Sequence, residues 1–154
     1  MCLEIYRDYA NATDGAVPEH IMVNLLFGLA EDKRGQYLEK YYEMFRDMSK
    51  KNDWVGRKDM FIKVAMEYVE FGRPDCAIDV LRHMTEHGHE PEMHECHELM
   101  NFALVNGETK ILRVLCGWHL HNWTDQVLQR GEMKRIFHIA SSLGDNEIAR
   151  MGLQ

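Results

Sequence analysis

Histidine is the chemistry-bearing residue that clusters most tightly in this chain. His83, His87, His89, His94 and His97 lie close together, with Cys96 among them. Imidazole and thiolate are the usual ligands of zinc, and His83 and His87 share one face of a helix. The run His94-Glu95-Cys96-His97 does not have the HExxH order, however, and no second cysteine pair completes a tetrahedral set. Cys2, Cys76, Cys96 and Cys116 form no CxxC pair, so reduced thiols in a non-secreted compartment are expected. The histidine run reads as a solvated connection between helices, and no metal or cofactor is expected.

Other reactive groupings are sparser. A catalytic site needs a nucleophile beside a base, a phosphate-cradling glycine loop, or paired carboxylates in a pocket. Ser141 and Ser142 have no nucleophile elbow around them, and glycine-rich loops are absent. The expectation is a protein that is not an enzyme. Trp118, His119, His121 and Trp123 form an aromatic-polar patch. Trp118 sits at core spacing there, while Trp123, in a connection, is the candidate to stack a base or anchor a partner. Tyr37, Tyr41 and Tyr42 read as packing between helices.

Charge narrows the partners. The formal net charge is −7 over 154 residues. From Asp59 to Met93, three positive residues (Lys63, Arg73, Arg82) face eight negative ones, a net of −5. A protein that grips nucleic acid by its phosphates needs a broad basic face. Here the basic residues gather in spots: Lys50, Lys51, Arg57 and Lys58, and further on Lys134, are the candidate contacts to RNA or to a partner.

The elements carrying these residues are helical. Apolar residues make up 45% and charged residues 28%, and no β-branched run alternates at period two. The fold class is all-α. A short helix is expected over Cys2–Ala12, with Leu3, Ile5, Tyr6 and Tyr9 on its apolar side. Pro18 reads as a first-turn proline before a buried helix over His20–Ala30. Tyr37–Lys51 follows the three-and-four spacing of an amphipathic helix through Tyr37, Leu38, Tyr41, Tyr42, Phe45 and Met48. A hairpin over Asp59–Met93 turns at Phe71-Gly72-Arg73-Pro74 and stops at Gly88 and Pro91. Ala77, Ile78, Leu81 and Met84 form the inner face of its second helix. Helices are also expected over Glu92–Val105, Thr109–Leu120 and Asp125–Leu143, and a last one begins after Gly144. No segment approaches the length of an apolar membrane span. The N-terminus has too short an apolar stretch for a signal peptide, and its acids argue against a transit peptide.

Gly35, Gly72, Gly107 and Gly144 each fall at a junction between two expected helices, with separations in the mid-thirties. A fixed period of that length, each period one helix-turn-helix, marks an α-solenoid. One hairpin cannot bury its own apolar face, so stacked neighbours must share a core.

Around Gly72 the residues Tyr68, Gly72-Arg73, Asp75, Ala77, Leu81 and Met84, followed by Gly88 and Pro91, resemble a pentatricopeptide repeat. The other units match more loosely, and the tetratricopeptide pattern fits less well. The resemblance implies a right-handed α-solenoid of antiparallel helix pairs, about four repeats long. It divides the chain into an N-terminal extension with a short helix (1–18) and a repeat domain (19–154) whose last repeat is incomplete.

The family reads single-stranded RNA one base per repeat. Carried over by position, its base-reading pairs fall on Leu25 with Val55, Ile62 with Glu92, and His97 with Val127, and Lys134 opens a last repeat without a partner. Leu, Ile and Val cannot hydrogen-bond a base edge, so the code reads as lost. The resemblance then implies a structural, protein-binding subunit of a mitochondrial ribonucleoprotein, foremost the mitochondrial ribosome. Its partners would be other protein subunits, with rRNA touched through its backbone. The alternatives are a single-stranded RNA-binding factor of organellar processing or translation, and a protein-interaction adaptor of tetratricopeptide type.

Overall fold

A computed structural model describes residues 2–12, 17–108 and 110–115 of the chain. Among these residues the chain is helical throughout, with no strand. It divides into two compact units, Met1–Glu90 and Pro91–Gln154.

The first unit holds α1 (Cys2–Ala12), α2 (Glu19–Glu31), α3 (Gly35–Asn52), α4 (Lys58–Glu70) and α5 (Pro74–Glu86). Helix α2 is apolar on nearly every side, and α1, α3 and α4 all pack against it. That surround buries Met22, Val23, Leu25, Leu26, Leu29 and Ala30. Helix α4 lies between α2 and α5 and inserts Met60, Phe61, Val64, Ala65 and Tyr68 into the same core. Burying each of the larger apolar side chains contributes about 1.5–3 kcal/mol, and together these burials drive the assembly.

The second unit contains α6 (Met93–Val105) and a helix over 110–115. The Glu95 carboxylate accepts the Glu92 amide at 2.9 Å, one arm of a capping box that starts α6. Cys96, fully buried, donates its thiol to the Leu115 carbonyl at 3.6 Å.

Four helices stop in the same way. The amides of Arg34, Arg73, His89 and Glu108 reach back to the carbonyls of Leu29, Tyr68, Met84 and Ala103 at 2.8–3.0 Å. This is the Schellman closure, which needs a left-handed residue just before the donor. Gly72, Gly88 and Gly107 take that place with φ of 81°, 84° and 70°. In α2 it falls to Lys33, with φ 58°.

Several expectations need correction here. Gly35 is not the turn residue of its hairpin but the first residue of α3. What requires glycine there is proximity, since a Cβ would lie 2.6 Å from the Phe71 ring. A glycine in sequence signals either positive φ or close approach, and spacing alone does not separate the two. Pro18 stands one residue outside α2, extended at ψ 157°, rather than in its first turn. Ile5 is exposed on α1, Tyr37 is exposed on α3, and in α5 Val80 is buried while Ile78 is only half-buried.

Candidate functional site

The histidines of α5 do not form a solvated connection. Their side chains meet those of α3 and α4 in an aromatic seam. The His83 ring stacks on Tyr42 at 5.9 Å, and its Nδ1 lies 2.8 Å from the Tyr42 hydroxyl. His87 stacks on Phe61 at 5.7 Å, and Phe45 meets Phe61 edge-on at 5.9 Å. His89 turns its Nε2 to the Val55 carbonyl at 2.9 Å. The i, i+4 spacing of His83 and His87 therefore serves ring packing. A signal was present in the sequence: Tyr42, Phe45 and Phe61 fall on buried faces, and a flat imidazole fills the space between such rings.

Burial disfavours the charged imidazole, and the nearby Arg46 adds to that effect. His83 is thereby held at a pKa of about 4, below its ordinary 6.5. His87 is shifted the same way, by burial first, then by Arg46 and His89.

Two clefts open along this seam, with Arg46 lining both. One, of about 360 Å³, is bordered by Ser49, Lys50, Trp54, Val55 and His87. The other, of about 290 Å³, is bordered by Glu39, Tyr42, Glu43, Tyr68, Asp79 and His83. The first carries Arg46 and Lys50 beside Asp53 and Glu86, the second three carboxylates beside Arg46.

The positions expected to read bases are scattered. Leu25 is only 2% exposed, at the base of a small cleft with Ile5 and Tyr6 of α1. Ile62 is half-buried. Val55 is exposed, but its backbone is engaged on both sides: its amide donates to Glu19 at 3.1 Å and its carbonyl accepts from His89. Glu92 caps α6, and His97 is half-buried on that helix. Val127, Trp123 and Lys134 lie outside the described residues, as do Trp118, His119, His121, Cys116 and the helices expected beyond residue 115.

Of the basic residues, Lys50 and Lys51 are exposed on the last turn of α3. Arg57 is exposed; it packs over the Phe27 ring at 5.5 Å and pairs with the exposed Asp59. Lys58 is half-buried. Among the described residues, Glu92, His94 and Glu95 bring potential ligand atoms within 4.8 Å of one another. They sit at the N-terminus of α6, whose dipole opposes a cation, and Glu95 is already spent on the cap.

Besides Tyr42 and His83, 41 residues apart, further hydrogen bonds join the hairpins. Glu19 accepts from Val55 and Gly56 across 36 and 37 residues, and Arg57 donates to Asn24 across 33. Arg73 donates to Glu39 across 34 residues, and Lys33 pairs with Glu70 across 37. His89 meets Val55 across 34. No helix among the described residues is long and apolar enough to cross a membrane. No protein-family model, curated protein or solved structure matches this chain.

Proposed function

We propose that the chain is a helical-repeat scaffold of pentatricopeptide type that binds proteins. In this reading it serves as a structural subunit of a mitochondrial ribonucleoprotein, foremost the mitochondrial ribosome. The observation that carries the reading is the set of hydrogen bonds that join the first two hairpins across 33–41 residues. Bonds across about one repeat length are what one hairpin makes when it docks on the next. The helix ends at Lys33, Gly72 and Gly107 repeat the same closure, which supports the same unit.

The enclosure of Leu25 and the half-burial of Ile62 weigh against base reading, because neither side chain offers a donor or acceptor to an exposed base. The net charge of −7 weighs the same way. Titrating the full chain into labelled single-stranded homopolymer RNAs at low salt tests this. The expected result is weak binding that does not distinguish the bases. A preference of about tenfold or more for one base would contradict the reading.

A further inference from the structure

Asn106 and Gly107 make the turn that ends α6, and Asn106 is the only asparagine of the chain that glycine follows. An asparagine amide is an electrophile within reach of the next residue's backbone nitrogen. A side chain on that next residue obstructs the attack, and Gly107 has none. Its surroundings are open as well, since a Cβ at Gly107 would meet nothing within 4 Å. Both residues are exposed, and Val105 before them is 85% exposed.

The folded turn holds the reacting groups apart. Asn106 stands at ψ −1°, where the Gly107 nitrogen eclipses the nitrogen of Asn106 rather than its Cβ. The Gly107 amide donates to the Leu104 carbonyl at 3.1 Å, and the Glu108 amide to the Ala103 carbonyl at 2.9 Å. Asn106 Nδ2 donates to the Phe102 carbonyl at 2.9 Å. Closing a ring between Cγ and the Gly107 nitrogen requires rotation about ψ, which breaks the backbone bonds, and release of the side chain, which breaks the third. All three lie at an exposed helix end, the part of a helix that opens at least cost.

We propose that Asn106–Gly107 is a self-modifying site, at which opening of the last turn of α6 lets the side chain cyclise and then hydrolyse to isoaspartate or aspartate. This chemistry does not depend on the chain being a scaffold. The Gly107 nitrogen bonds to Asn106 Cγ, its proton departs with the Nδ2 group as ammonia, and a succinimide remains. Water then adds at one of the two ring carbonyls and cleaves that C–N bond, leaving a carboxylate. Either product places negative charge at the C-terminal end of α6, against its dipole. Isoaspartate also lengthens the backbone by a carbon, so Glu108 no longer meets Ala103 in register. The helix over 110–115 follows this turn, and Leu115 on it accepts the buried Cys96 thiol. Conversion therefore loosens the packing over Cys96, and it runs in one direction.

The test holds the full chain at neutral pH for days, folded or in guanidinium chloride, and follows conversion by mass spectrometry and isoaspartyl-specific methylation. In denaturant Asn106 should convert ahead of Asn24, Asn52 and Asn101, which precede Leu25, Asp53 and Phe102. The folded chain should convert about tenfold more slowly, because the hydrogen bonds of the turn must open first. Gly107→Ala should suppress conversion in denaturant. After ion exchange, folded molecules carrying the new carboxylate should alkylate at Cys96 faster than unconverted ones, with half-buried Cys76 of the first unit unchanged.

Equal rates in the folded and denatured chains would overturn the proposal, as would Asn106 converting no faster than the other three asparagines in denaturant. A folded chain still unconverted when the denatured chain has reacted completely would overturn it too. So would Cys96 that alkylates alike in converted and unconverted molecules.

Discussion

Tyr42 and His83 join α3 to α5 through one stacked, hydrogen-bonded pair, with ring centroids 5.9 Å apart and the hydroxyl 2.8 Å from Nδ1. A neutral imidazole can accept from the hydroxyl at Nδ1, whereas a charged one cannot. The groups facing His83 are Arg46 on α3, which lowers its pKa, and Glu86, Asp79 and His87 on its own helix. Burial outweighs the two carboxylates.

A pH dependence follows. The folded chain holds the His83 pKa near 4, below its ordinary 6.5, so the unfolded chain binds the proton more readily. The stabilisation is complete above pH 6.5 and is lost as pH falls from there toward 4. Thermal melts at about pH 7.5 and about pH 5 should show a lower midpoint in acid. His83→Gln, which retains a hydrogen-bonding group but cannot titrate, should flatten part of that difference. An unchanged slope in the variant would show that the pair does not couple to pH.

Glu67 poses the opposite case. Its side chain is 4% exposed and its Oε2 has no hydrogen bond, although Lys33 lies 3.9 Å away. Burial raises its pKa, more than Lys33 lowers it, with Glu70 adding to the rise. The charged form is therefore the one that folding disfavours. Stability from this group is present below pH 4.5 and declines as pH rises through its folded pKa. Glu67→Gln should leave the chain at pH 7 unchanged or more stable, by about 1 kcal/mol at most. Chemical denaturation measures this, and a loss above about 2 kcal/mol would mean that the Lys33 pairing outweighs burial.

Gly35 and Gly72 should respond differently to alanine. At Gly35 the new Cβ meets the Phe71 ring at 2.6 Å and its Cβ at 3.0 Å, so the base of that side chain must shift. A cost of about 1–3 kcal/mol is expected, and combining it with Phe71→Ala should recover part of it. At Gly72 the space is open, and only the φ of 81° opposes a side chain, a cost of about 1–2 kcal/mol. Phe71→Ala should give no relief there. Denaturant midpoints of the four variants decide it.

Placing a base-reading residue at Leu25, where the proposed pentatricopeptide pattern would put one, should damage the fold. Leu25→Asn puts an amide into a site that is 2% exposed and should cost about 3 kcal/mol. RNA titration of the variant should show no gain in base preference.

Much of the architecture was legible because it depends on local signals. Pro74 at the start of α5, the glycines at Gly72, Gly88 and Gly107, and the three-and-four spacing of Tyr41, Tyr42 and Phe45 each act over a single turn. The aromatic faces were legible, but which histidine each ring meets was not. Whether His83 meets solvent or Tyr42 depends on which hairpin packs beside it, and that pair is separated by 41 residues. Gly35 failed for a related reason, since Phe71 approaches it from another hairpin. Arg57 is exposed as a surface cation, but its neighbours Phe27 and Asp59 come from packing that spacing does not reveal.

The central claim is that the chain is a protein scaffold within a ribonucleoprotein. The most direct test is sedimentation of the tagged full chain from a mitochondrial lysate through a sucrose gradient, before and after salt high enough to strip proteins held only by phosphates. The account predicts migration with ribosomal subunits in both conditions, because apolar and hydrogen-bonded protein contacts survive salt that screens phosphate contacts. A chain that stays at the top of the gradient as a free small protein would contradict it.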